Sequence, residues 1–354
     1  MAIKFRSTLG VTTRNLPVMN IDLRSDTVTL PTDEMLTSMI KADVGDDGRT
    51  GQDGRSEDPT VRKLEDRAAE LTEKQAAIFV PSGTFGNNLG ALVLSQRSSP
   101  IWVYERAHIL ASEKALFSDD LFGREFRTYR NLTEVPCSPP EPNSLLLVEN
   151  TVSSDAGRPL STTELQQLDQ LKKAGWLIHM DGARLFNASV DSGTCVERIV
   201  SSCDTVMFCL SKGLGAPVGS MLCGDENTIR HARLMRKQLG GAMRQAGYVA
   251  AAGLAALETS NIERLADDHR RAKKLHEALG VLDGGTSRCE TNIVAIRLIS
   301  PAAKTVVDMV EKKGFRIRAL SDHELRILTH RGITDEQASL AGKAIAESIV
   351  AAAN

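Results

Sequence analysis

An α/β fold built on a mostly parallel sheet, followed by a smaller α+β unit, is predicted for this chain, and three observations predict it. Apolar runs of strand length alternate with helically spaced segments between residues 76 and 224. Those runs are almost continuously hydrophobic, as in strands buried on both faces of a sheet. The chain holds 354 residues, more than one core usually organises, so a second unit sharing a cleft with the first is expected.

Residues 33–43 and 60–76 carry helical apolar spacing, the second stretch opened by Pro59 and Thr60. Between them, GDDGRTGQDGRSED is too polar and glycine-rich for regular structure and reads as a mobile or functional loop. AAIFVPSGTFGNN reads as strand, tight turn and helix start, with Thr84 and the turn amides placed to hold an anion. Strands are then expected at 101–104, at 144–151, within WLIHMDGA and TVMFCLS, and in VGSMLCG, with a helix over 161–174. Beyond Gly224 the chain turns helical, and the alanine-rich AGYVAAAGLAALE forms a long helix leading out of the core. From about residue 258 the pattern mixes helix 261–279, strand NIVAIRL, helix 301–313 and strand ELRILTH. The expected division is an N-terminal extension over 1–20, a large domain over 21–257 and a small α+β domain over 258–354.

Composition narrows the function classes. With 42% hydrophobic and 25% charged residues and no apolar run long enough for a bilayer, no membrane partner is expected. A formal net charge of -2 without a dense Lys/Arg block supplies no electrostatic footprint for nucleic acid. The six cysteines show no C-x-x-C pair and no histidine at ligand spacing, so neither a metal site nor a disulfide framework is indicated. Thiols in a reducing cytoplasm are expected instead. Residues 1–20 hold Lys4, Arg6 and Arg14 with only short apolar stretches, which fits an arm better than a secretory leader.

The residues that carry chemistry stand at strand ends. MDGAR places Asp181 where one expected strand stops, and CLSKGLGAPVGS places Lys212 just after a later one. Singly, an aspartate in a turn and a lysine in a glycine-rich loop are ordinary. Together they match the demands of pyridoxal phosphate (PLP): an amine to form a Schiff base with the cofactor, and a carboxylate to keep its pyridine nitrogen protonated so that the ring takes up electrons.

From Asp22 onward the chain resembles the threonine aldolase and β-eliminating lyase family of fold-type I PLP enzymes. The landmarks are DLRSDTVT (22–29), VGDD (44–47), EDPT (57–60), SGT (82–84), Ala107 with His108, ENT (149–151), DGARLFNA (181–188), LSKGLGAPVGS (210–220), GGAMRQ (240–245) and TN (291–292). The resemblance implies an activity like that of low-specificity threonine aldolases, splitting the Cα–Cβ bond of a β-hydroxy-α-amino acid into glycine and an aldehyde. It implies that Ser82, Gly83 and Thr84 cradle the cofactor phosphate, helped by Arg244 of a neighbouring chain. His108 would stack on the ring and shuttle a proton. Ser25, Arg184 and Arg326 would grip the substrate carboxylate, Arg184 close to the cofactor as well, since a planar guanidinium suits bidentate binding. A homodimer or homotetramer with shared active sites is also implied, with the loop at 45–58 reaching across.

Two positions depart from the family pattern. Where members continue ENT with a histidine near the substrate hydroxyl, this chain has Val152; where VYGDDPT offers an active-site tyrosine, GRSEDPT offers Arg55. A valine neither gives nor takes a proton, which leaves racemisation or β-elimination on the same scaffold open beside aldol cleavage. A non-catalytic binding protein is the third class, and retention of both Lys212 and Asp181 speaks against it. An Arg55 facing the site would favour an acidic or bulky polar substrate group.

Overall fold

The computed structural model describes residues 21–300 and 302–353, so the extension expected over 1–20 lies outside the described residues. The described chain begins at β1 (Ile21–Asp22), which pairs in parallel with β11 (Phe315–Arg316). A seven-stranded sheet follows, made of β2 (Ala76–Val80), β3 (Ile101–Tyr104), β4 (Phe126–Tyr129), β5 (Leu145–Glu149), β6 (Leu177–Asp181), β7 (Thr205–Cys209) and β8 (Ser220–Gly224). Its strand order is β2-β8-β7-β6-β5-β3-β4. Only β8 runs against its neighbours, pairing antiparallel with both β7 and β2. The cause is the connection: residues 210–219 join β7 to β8 without a helix, and a parallel return needs a longer crossover. The α/β reading with a mostly parallel sheet is thus what the chain adopts.

Strands β5, β7 and β8 are buried at every residue, because helices cover both faces of the sheet. Helix Thr162–Lys173 starts at a capping box: the Ser161 hydroxyl accepts from the Glu164 amide, and the Glu164 carboxylate accepts from the Ser161 amide. Helix Pro59–Thr72 stops four residues short of the expected end at residue 76, where Glu73 adopts a left-handed conformation (φ 47°) before β2 begins.

A second sheet has the order β12-β13-β10-β9, from β9 (Gly285–Cys289), β10 (Ile293–Leu298), β12 (Arg318–Ala319) and β13 (Glu324–Leu328). Helices Leu265–Leu279, Ala303–Lys312 and Asp335–Ala353 accompany it, and Val294, Ile296, Val306, Ile327 and Ile345 share a separate hydrophobic core. Ile21 and Leu23 pack into that second core, so the start of the described chain crosses from one unit to the other. Among the described residues, no helix is long and apolar enough to cross a membrane.

One carboxylate ties three segments together. Asp58 caps helix Pro59–Thr72, its Oδ1 accepting from the Thr60 and Val61 amides at 3.1 and 3.0 Å. Its Oδ2 accepts from the amides of Gly45 and Gly247, each at 2.9 Å. The side chain is fully buried. The expected result of Asp58→Ala is a loss of about 2–3 kcal/mol, since a helix cap is removed and amides are left without an acceptor. Urea denaturation at pH 7 measures it.

Candidate active site

The carboxyl ends of β5, β6 and β7 open onto a cavity of about 320 Å³, the usual ligand position in an open α/β sheet. Ser25 reaches it from the N-terminal segment and Arg326 from β13, so the second unit closes one wall. Lys212, Asp181, His108 and Thr84 all line it. The Lys212 side chain is half-buried and has no ion-pair partner among the described residues.

At one corner the helix Gly83–Leu94 points its N-terminus into the cavity. Ser82 is its cap, with the hydroxyl accepting from the Phe85 amide at 3.1 Å. That hydroxyl oxygen is engaged within the turn, and Ser82 does not line the cavity. The Gly83 and Thr84 amides have no acceptor among the described residues and face the space where an anion would profit from both N–H groups and the helix dipole. A side chain at 83 is excluded, because its Cβ would stand 2.8 Å from Cys209 Sγ. These features fit a phosphate.

Asp181 ends β6 and is buried, with Oδ1 accepting from the Ala183 amide at 3.0 Å and Oδ2 from Asn87 Nδ2 at 2.9 Å. His108 Nδ1 lies 3.1 Å from Glu113 Oε1, which leaves Nε2 as the free ring nitrogen. Donor atoms of His108, Glu113 and Asp181 all lie within 4.8 Å of one another. Beside them Glu149 ends β5, accepting from the His108 and Ser153 amides at 2.8 and 2.7 Å. Burial first, and the charge of Asp181 second, push its carboxyl up to about 7, against the pull of those two amides.

The opposite wall is cationic. Arg326 donates from Nη1 to Ser153 Oγ at 3.0 Å, while its buried Nε has no partner among the described residues. Burial, then repulsion by Arg184 and Arg318, lowers its pKa to about 10. Arg184 is held differently from the expectation of a free substrate grip: Nε and Nη2 donate to the two oxygens of Asp26 at 2.8 and 2.7 Å. Only Nη1 remains to face a ligand. Ser25 caps the short 3-10 turn Asp26–Val28, its hydroxyl accepting from the Thr27 amide at 3.2 Å.

Three further residues singled out by sequence stand outside this cavity. Arg244 is exposed and pairs with Asp46 at 3.0 Å. Arg55 pairs with Asp66 at 2.7 Å and donates to the Arg62 carbonyl. Val152 is buried and lines a separate cavity behind Glu149, whereas its neighbours Thr151 and Ser153 line the Lys212 cavity. Conversely, Asp26, Asn87, Glu113 and Glu149 belong to the site without having been assigned a role. Asp26, Asn87 and Glu149 lie in the stretches DLRSDTVT, AAIFVPSGTFGNN and ENT, so polarity at a strand end or turn was a usable signal for them; Glu113 offered none.

The β-eliminating lyase family model matches residues 22–119 and 137–300. Low-specificity L-threonine aldolase 1 of Arabidopsis thaliana is 36% identical, over 89% of this chain and 92% of that protein. The low specificity L-threonine aldolase of Escherichia coli K12 is 35% identical, over 90% and 96% respectively. Among solved structures, Leishmania major threonine aldolase superposes with a TM-score of 0.76 at 16% identity, covering 93% of this chain and 99% of that one. Serine palmitoyltransferase of Sphingomonas wittichii gives 0.74 at 17% identity, over 94% and 88%. The last two likenesses concern the fold alone.

Proposed function

This chain belongs to the β-eliminating lyase family, and on that premise we propose that it is a PLP-dependent lyase that splits a β-hydroxy-α-amino acid at Cα–Cβ into glycine and an aldehyde. The observation that carries the reading in the site itself is the Arg326 guanidinium, which has no carboxylate partner among the described residues and shares one cavity with Lys212, Asp181 and the free helix amides. When bound, the cofactor supplies an electron sink for the pair left at Cα.

The protein's own groups divide the remaining work. Gly83 and Thr84 hold the phosphate through their amides, Asp181 holds the proton of the ring nitrogen, and Lys212 is the covalent anchor. Arg326, with Arg184 Nη1 and Ser25, takes the substrate α-carboxylate and so fixes which Cα bond is broken. Val152 faces the neighbouring cavity, so the segment after Glu149 offers Thr151 and Ser153 in place of a histidine at 152. His108, oriented through Nδ1 by Glu113, is the group that takes the β-hydroxyl proton at Nε2. A homodimer or homotetramer completes the site, with Arg244 supplied by a second copy; its 78% exposure in the single chain leaves it available. The six unpaired cysteines support a cytoplasmic setting.

PLP-loaded protein incubated with a panel of L- and D-β-hydroxy amino acids is expected to yield glycine and the matching aldehyde. A 2-oxo acid with ammonia, or an inverted stereocentre without cleavage, would replace this reading by β-elimination or racemisation. Within the same assay, Arg326→Gln is expected to lower kcat/KM by about 10- to 100-fold through KM, the worth of a hydrogen bond to a charged group.

A further inference from the structure

Behind Asp181 lies a chain of buried polar groups that the reaction does not itself require. Thr205 Oγ1 is 2.8 Å from His179 Nδ1, and His179 Nε2 is 3.3 Å from Asn87 Oδ1. Asn87 Nδ2 then donates to Asp181 Oδ2 at 2.9 Å and to Glu113 Oε1 at 3.2 Å. His179 and Thr205 are buried and neither lines the Lys212 cavity. We propose that His179 and Thr205 are positioning residues which lock the Asn87 amide with its nitrogen towards Asp181 and thereby hold that carboxylate aimed at the cofactor ring; this rests on the role of Asp181 under the proposed function.

The order of donors explains why the lock works. An asparagine side chain turned by half a rotation fills the same space, so packing alone does not choose its orientation. Asn87 gives its nitrogen to two carboxylates, so its Oδ1 accepts from His179 Nε2, and the ring's Nδ1 is then the acceptor for the Thr205 hydroxyl. The imidazole proton is then on Nε2, where it meets Asn87 Oδ1. Turning the amide would set an N–H against that N–H and an oxygen against two carboxylates. Burial pushes the His179 ring down to about 4, so it stays neutral and keeps one donor and one acceptor. The ring is seated by Gly90, where an added Cβ would stand 2.4 Å from His179 Cε1. Gly90 and Asn87 lie on the helix that offers Gly83 and Thr84, so one contact sets both ends of the cofactor site.

The test uses His179→Leu, His179→Gln and Thr205→Val, each with full-length protein. Equilibrium titration with PLP is expected to show about tenfold weaker binding for His179→Leu, because the Asn87 amide loses the partner that fixes its nitrogen towards Asp181. His179→Gln keeps an N–H towards Asn87 and is expected to restore the affinity; Thr205→Val, nearly isosteric, weakens binding in the same direction by less. If His179→Leu does not fold, the other two variants decide, and a PLP affinity identical to wild type in Thr205→Val overturns the proposal. The 15N shifts of His179 in wild-type apoprotein give a second measure independent of cofactor: a proton on Nε2 is expected, and a proton on Nδ1 overturns the relay. A wild-type protein that fails to bind PLP would instead strike the functional reading, leaving the tautomer measurement to judge the relay.

Discussion

Replacing Lys212 with alanine is expected to abolish the visible absorption band of the PLP-loaded protein and to lower aldol cleavage by at least about 1,000-fold, within the range for a positioned proton-transfer group and without the covalent anchor. The loss should be chemical, not structural. The loop that carries Lys212 is braced by backbone bonds from Gly215 to the Lys212 carbonyl at 2.9 Å and from Ala216 to the Leu210 carbonyl at 3.0 Å. Arg264 donates to the Gly213 carbonyl at 2.8 Å and Asn261 to the Leu214 carbonyl at 3.0 Å, so one further segment grips the same turn at two points. None of these bonds uses the lysine side chain, which has no ion-pair partner among the described residues. Unfolding of the variant should stay within about 1 kcal/mol of wild type, because the lysine has no ion pair among the described residues and adds only its charge to the field that Arg184 already supplies at Asp26. Absorbance of the reconstituted protein and chemical denaturation, measured together, separate the two effects; an unchanged band would refute the assignment of Lys212.

The same contrast shows what was legible in the sequence. Asp181 and Lys212 could be placed because strands buried on both faces read as continuous apolar runs, and the polar residue that ends such a run is conspicuous. Strands β4 and β9 carry no such signal: β4 is exposed at three of its four residues, and β9 reads GTSRC. Helix Asp335–Ala353 escaped for another reason. Its buried face is made largely of alanine and glycine, Ala338, Ala341 and Gly342 among them, so it lacks the large apolar residues that mark a stripe. The orientation of Val152 is a property of how β5 leaves the sheet, and the partner of Arg184 lies 158 residues away along the chain. Spacing along a sequence holds no record of such a meeting.

That distant meeting yields the other large effect. Asp26 is fully buried, and Arg184 is nearly so. Burial alone would raise the Asp26 carboxyl, but the charge and hydrogen bonds of Arg184, aided by Lys212 and Asn292, bring it down to about 2. Asp26→Ala leaves a buried guanidinium without its counter-ion and is expected to cost about 3–5 kcal/mol. The pH dependence follows from the depressed value: the unfolded carboxyl titrates near 3.8, so the stabilisation is complete above that pH and is lost as pH falls through about 2. Urea melts of wild type and Asp26→Asn should therefore differ most at pH 7 and converge as the pH is lowered from about 4 towards 2. A constant difference across that interval would mean that shape, and not charge, is what Asp26 supplies. Arg184 released from Asp26 is free to turn Nε and Nη2, besides Nη1, to a ligand. If the variant still folds, a lower KM with reduced kcat would place the substrate carboxylate at Arg184, whereas an unchanged KM would leave Arg326 as the principal grip.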